Sequence, residues 1–178
     1  MKSQEQEYFH YTSRQNLESI LRCGQINPNT KDYDQPEHGI TKMVWVSSMS
    51  PWEPICVATI ELEPEGWEDL PEGIVPGEPY EAARIRVDST VIEPWEPLLS
   101  SHGASGAEIF SLGQSGYEYN SDPNQWRAVL HAVKACFWQD VQLWDESNWV
   151  SLPRRGGLYH LDDLNTFISY PHHQGDYQ

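Results

Sequence analysis

The chain has 178 residues, room for one domain with a sizeable core, whereas two domains would each be small. Hydrophobic residues make up 38% of it, with 8 Trp and 9 Tyr, a composition too apolar and aromatic for a disordered chain. Asp and Glu number 27 against 11 Lys and Arg, and the net charge of −16 repels phosphate backbones and acidic lipid, which argues against generic nucleic-acid binding.

No apolar run approaches the roughly 20 residues that span a bilayer, and the opening MKSQEQEYFH has no apolar signal-peptide core. The expectation is a soluble, cytoplasmic protein with no membrane partner. Cys23, Cys56 and Cys136 are far apart and form no Cys-x-x-Cys pair, so they read as buried thiols rather than ligands or nucleophiles. The histidines show no metal-ligand spacing, and His172 and His173 fall in a polar tail, residues 171–178, after a single domain of residues 1–170. Between Met43 and Ala83 there is no Lys or Arg, while Glu53, Glu61, Glu63, Glu65, Glu68, Asp69, Glu72, Glu78 and Glu81 all fall there. That stretch reads either as a solvated loop or, over residues 61–81, as a docking surface for a basic protein or a nucleic-acid mimic.

In chain order, residues 7–11 are short and aromatic and predict a strand. Thr12 and Ser13 open a helix, with Thr12 and Gln15 at capping-box spacing, Leu17, Ile20 and Leu21 on one face, and Gly24 as its end. "QINP" is an extended exit. "TKMVWVSS" predicts a central strand stopped by Pro51 and Pro54, and "ICVATIELE" a second strand, with a helix as the other reading. A long surface loop follows, then the alternating strand "ARIRVD" and a short helix in "EPWEPLLSS". The last third predicts strands in "WRAVLHAV", "CFWQDVQLWD" and "NWVSLP", with "DESN" as a hairpin turn. The sum is a mixed, strand-rich α+β domain with helices early and in the middle.

"FHYTSRQNLESILRCGQINP", a strand ending in His-Tyr-Thr that runs into a capped helix, resembles the opening of the ADP-ribosyltransferase-like split-sheet fold. The likeness extends to uncharacterised bacterial and phage proteins. They share the His10-Tyr11-Thr12 opening, the strand at Val44 followed by Trp52-Glu53-Pro54, and the closing Asp122-Pro123-Asn124-Gln125-Trp126 with its Trp-rich hairpin. It covers both ends of the chain and is loose over residues 61–119. The resemblance implies NAD as a substrate, a strand-one histidine holding a ribose, and a second strand whose aromatic and hydroxyl groups shape the nicotinamide pocket. It also implies a catalytic glutamate near the start of a late strand, often as Gln/Glu-x-Glu. No such triplet precedes "WRAVLHAV", where Glu118 and Gln125 are nearest.

Cleaving the NAD glycosidic bond passes through an oxocarbenium-like sugar and expels neutral nicotinamide, which calls for orientation, an aromatic clamp and a carboxylate. His10 reads as a ribose partner in either tautomer, or as a buried histidine satisfied by the backbone. Tyr11 points to the opposite face of a regular strand, so one of the two meets the pocket, and Thr12 is a further contact or only a helix cap. Trp45 and Ser47 share a face, fit to stack a planar ring and fix a sugar, or to pack in the core. Trp52 adjoins Glu53, which reads as a general base if buried or else as a surface charge. Trp126 and Arg127 open the late strand, and Arg127, like Arg14 or Arg22, either meets a pyrophosphate or serves a structural ion pair. The functions this predicts are an ADP-ribosyltransferase or NAD glycohydrolase of a bacterial or phage conflict system, or a non-catalytic acidic binding protein on a degenerate version of the same fold.

Overall fold

A computed structural model describes residues 6–28, 42–50, 52–54, 82–145 and 147–168. Strand β1 (Tyr8–Ser13) runs directly into helix α1 (Arg14–Cys23). The cap is Ser13 rather than Thr12: its side chain accepts the Asn16 amide at 3.2 Å, which satisfies one of the helix's open N–H groups. Gly24 ends the helix with φ 65°, a left-handed conformation that costs glycine little, and its N–H bonds the Ile20 carbonyl at 2.9 Å. β2 (Gln25–Ile26) follows as the short extended exit.

Seven strands form one sheet in the order β5-β6-β3-β1-β4-β8-β9, and every neighbouring pair is antiparallel. They are β1, β3 (Val44–Ser47), β4 (Ala82–Val87), β5 (Glu93–Pro94), β6 (Trp126–Val129), β8 (Trp138–Trp144) and β9 (Trp149–Ser151). β1 lies at the centre, and its six residues pair with β4 from Tyr8↔Val87 to Ser13↔Ala82. Period-two alternation then fixes the faces. Tyr8, Val44, Val46, Ala83, Ile85, Val87, Val141 and Leu143 form one core with Leu17 of α1 and Leu164 of α4 (Leu161–Ile168). The other face of β3 and β6 packs Met43, Trp126 and Ala128 against Trp95, Leu98 and Leu99 of α2 (Trp95–Ser101), with Ile109 and Leu112 of α3 (Gly106–Glu118).

The structure departs from the sequence reading in several places. "WRAVLHAV" is not one strand: β6 stops at Val129, and β7 (Val133–Lys134) leaves the sheet to pair with β2. Helix α3 was not expected; its three glycines lower helix propensity, yet Ser105 and Glu108 make a complete capping box. α4 was also unexpected, as was the ribbon of β10 (Arg154–Arg155) and β11 (Leu158–Tyr159), turned by Gly156 and Gly157 at φ 59° and 84°. Cys23 and Cys136 are exposed rather than buried, because one ends α1 on its solvent side and the other sits in the turn before β8. "DESN" does close the β8–β9 hairpin, where the Asp145 amide bonds the Asn148 carbonyl at 3.0 Å. Cys56, the strand expected in "ICVATIELE", the acidic stretch 61–81 and the tail 171–178 lie outside the described residues. No helix among the described residues is long and apolar enough to cross a membrane.

Candidate functional site

β1 and β3 are hydrogen-bonded neighbours, yet only one residue pair, Phe9↔Ser47, is in register between them. His10, next to that pair, reaches across to β3, with Nδ1 2.9 Å from the Trp45 carbonyl oxygen. A carbonyl only accepts, so Nδ1 carries the proton, and a neutral ring keeps its lone pair on Nε2. Burial lowers the His10 pKa below its ordinary value of 6.5, and the bond to Trp45 opposes this only in part. The ring is therefore neutral at pH 7.

His10 shares its face with Tyr8 and Thr12, and beside them a chain of hydrogen bonds ties β1, β3 and the turn before β6. The Tyr8 hydroxyl donates to Gln6 Oε1 at 3.2 Å, and Gln6 Nε2 donates to Ser48 Oγ at 2.8 Å. Ser48 Oγ donates to Gln125 Oε1 at 3.2 Å, and Gln125 Nε2 donates to Asp122 Oδ2 at 3.3 Å. The Asn124 side-chain amide, donating to Asp122 Oδ1 at 2.9 Å, holds that carboxyl below the usual range, so Asp122 is charged. Arg127 points to the same face, its guanidinium 5.4 Å from the centre of the Tyr8 ring. It donates to the carbonyls of Asn124 and Trp126 at 3.0 and 2.6 Å and forms no ion pair among the described residues.

The opposite face carries a second cluster. The rings of Tyr11, Trp149, Trp144 and Trp52 meet in sequence, edge to face, at centroid distances of 6.1, 5.3 and 5.7 Å. The Tyr11 hydroxyl donates to the Met49 carbonyl at 2.5 Å. The Arg84 guanidinium lies 4.0 Å from the Phe9 ring centre and 4.3 Å from that of Trp149, and its Nε donates to Gln142 at 2.6 Å. Burial pushes its pKa down, while a hydrogen bond with Tyr11 works the other way. Glu53 is only 3% exposed, and neither carboxylate oxygen has a hydrogen-bond partner among the described residues.

The residues expected in one site are thus divided between two faces. His10, Thr12 and Arg127 lie on one face, with Gln125 at the edge of the network beside them. Tyr11 and Trp52 lie in the aromatic cluster on the other, with Glu53 next to Trp52 in the chain. Trp45 and Trp126 also lie on the second face, packed with Trp95 at 5.7 to 5.9 Å, and the buried Ser47 accepts the Met49 amide at 3.1 Å. Glu118 is exposed at the end of α3. Arg22 is paired to Glu18 at 2.7 Å on the surface of α1. A depression of about 290 Å³ beside the far end of β6, lined by Val91, Val129, Leu130 and Phe137 among others, involves none of the expected residues.

The sequence reading assigned no role to Tyr8, Gln6, Ser48 or Asp122. Tyr8 stands two residues before His10 and so shares its face, while Asp122 before Pro123 is a turn cap whose signal was legible. Arg84 follows from the alternation of "ARIRV", which turns both arginines away from Ala83, Ile85 and Val87. No family model, curated protein or solved structure matches the chain.

Proposed function

We propose that the chain is an NAD-using enzyme, an ADP-ribosyltransferase or NAD glycohydrolase of a bacterial or phage conflict system, built on a split sheet of the ADP-ribosyltransferase kind. The observation that supports this reading is His10 between β1 and β3: a neutral imidazole fixed through Nδ1 to the Trp45 carbonyl, with Nε2 left to accept a ribose hydroxyl. Its surroundings suit the same substrate. Asp122 brings a permanent negative charge to an edge where positive charge develops on the sugar, and Arg127, without an acidic partner among the described residues, suits a pyrophosphate. The purified protein is expected to release nicotinamide from NAD or to label a target with ADP-ribose, and His10→Ala to abolish this. Absence of turnover together with absence of an NAD-induced thermal shift would refute the reading.

One observation favours the second reading, a non-catalytic acidic binding protein, inhibitor or nucleic-acid mimic, on a degenerate version of this fold. The residue just ahead of β6 is an amide, Gln125, engaged with Ser48 and Asp122, where the resemblance implies a glutamate. A protein captured from lysate in a manner indifferent to His10→Ala, but weakened by salt and by charge reversal at Glu65, Glu68 and Asp69, supports this alternative.

A further inference from the structure

We infer that the outward face of α3, marked by Phe110 and Tyr117, is a docking surface for a basic amphipathic helix of a partner protein. It stands apart from any use of NAD and from residues 61–81.

Helix α3 rests on the sheet through Ile109, Leu112 and the close approach of Gly116 to Trp126. The helical period then turns Ala107, Phe110, Gln114 and Tyr117 outward as one stripe, and all four are exposed. Phe110 is 67% exposed and Tyr117 52%, and the first has no polar side-chain atom to offer water. Seven residues of helix set the two positions about 10.5 Å apart along the axis. Apolar anchors at i and i+7 on a partner helix laid alongside have the same spacing. One end of the stripe is already held in place: Asn124 Nδ2 donates to the Tyr117 hydroxyl at 3.3 Å and to Asp122 Oδ1 at 2.9 Å. A ring fixed in advance gives up less freedom when a partner covers it.

Charge selects the partner. From Val87 to Trp126, the segment that supplies α2 and α3, there is no Lys or Arg, whereas Asp88, Glu93, Glu96, Glu108, Glu118 and Asp122 all fall there. Glu118 follows Tyr117 directly, and the Asn124 amide alone separates Asp122 from the Tyr117 hydroxyl. Arg127 borders the segment but points away from α3, toward the Tyr8 ring on the opposite face of the sheet. Aromatic rings with carboxylates beside them suit Leu anchors flanked by Arg, which pairs with the acids and stacks on the rings. The same charge opposes a second copy, because two-fold packing of α3 on α3 sets each stripe and its carboxylates against themselves. It equally opposes phosphate backbones and acidic lipid.

The test is fluorescence anisotropy on the full chain at about 0.15 M salt, with a labelled peptide carrying Leu at i, i+3, i+4 and i+7 and Arg at most other positions. Saturable binding is expected, weakened about tenfold or more by Phe110→Ser and also weakened by Glu118→Lys. Leu158→Ser and Glu18→Lys, which remove an exposed apolar side chain and reverse a charge elsewhere, should bind as the wild type does. A peptide with Glu in place of Arg should not bind. Undetectable binding of the Leu/Arg peptide, or the same affinity for Phe110→Ser as for Leu158→Ser, would overturn the inference. Other occupants of the stripe show themselves in the free protein, where Phe110→Ser should leave melting temperature and sedimentation unchanged. A lower melting temperature would mean that another segment of this chain covers the ring, and a wild-type dimer that Phe110→Ser dissociates would mean a second copy does. Either result overturns the inference as well.

Discussion

Gly116, in the last turn of α3, sets how closely that helix approaches the turn leading into β6. A Cβ at this position would lie 2.5 Å from Cη2 and 2.8 Å from Cζ2 of Trp126, and 2.8 Å from Cγ of Pro123. Carbon atoms in contact prefer about 3.5 to 4.0 Å, so the obstacle amounts to about 1 Å against two rigid rings. Neither ring can turn aside freely: Trp126 is 5% exposed and wedged between Trp45 and Trp95, and the Pro123 carbonyl accepts Trp95 Nε1 at 2.8 Å. Overpacking of this kind costs about 1 to 3 kcal/mol, and the gain of about 1 kcal/mol from replacing a helical glycine offsets part of it. Gly116→Ala is therefore expected to destabilise the protein by up to about 2 kcal/mol, a fall of up to about 8 °C in melting temperature for a chain of this size. Gly113→Ala is the internal control, since its Cβ meets nothing nearer than Trp95 at 3.8 Å, and it should stabilise by about 0.4 to 1 kcal/mol. Urea unfolding followed by tryptophan fluorescence reads both. Equal or greater stability for Gly116→Ala than for Gly113→Ala would refute the packing argument. The same substitution pushes on Trp126 and Pro123, which flank Gln125, so it should also weaken NAD binding under the proposed function.

Further expectations concern single groups. His10 titrates near 6.5 when unfolded and lower when folded, so the unfolded chain binds more protons between the two values. The resulting stability is fully present above about pH 6.5 and is lost as pH falls through the folded value, whereas His10→Gln keeps a donor for Trp45 without titrating. Thermal melts from about pH 7.5 to about pH 5 should show the wild type losing its advantage over His10→Gln, and a constant difference would contradict the assignment of a buried neutral ring. Trp95→Phe strands the Pro123 carbonyl and should cost about 1 to 3 kcal/mol in chemical denaturation; a cost near zero would mean that this bond does not hold the turn. Arg84→Lys replaces a planar cation between the Phe9 and Trp149 rings with a point charge and should cost about 1 to 2 kcal/mol, with unchanged stability contradicting the stacking role.

Much of the sheet was legible because local pattern and tertiary demand agree there. Alternation marked "ARIRV" and "VWVS", the Ser13 and Gly24 region announced α1, and Asp145 to Asn148 announced a tight turn. What was not legible depends on partners distant in sequence. β6 ends at Val129 because β7 is claimed by β2, which lies over a hundred residues earlier in the chain, and no local signal in "WRAVLHAV" reports that. α3 hid behind Gly106, Gly113 and Gly116, of which Gly116 is present for closeness to Trp126 rather than for helix propensity. The candidate site shows the same division. Period-two reasoning correctly set His10 and Tyr11 on opposite faces, and Trp45 and Ser47 together, but which face each strand shares with its neighbour depends on register. That register puts Trp45 in a core of indoles and brings Ser48, Gln125 and Asp122 to the edge near His10 instead.

The central claim is that His10, bonded across β1 and β3, holds a ribose of NAD. Isothermal titration of NAD into the wild type and into His10→Gln at pH 7.5 tests it most directly, because Gln retains the bond to Trp45 yet lacks an imidazole acceptor at the Nε2 position. The account predicts saturable binding to the wild type and a loss of about tenfold or more in the variant, the cost of about one hydrogen bond that is no longer made. Equal affinity in the two proteins, or no binding to either, would contradict it.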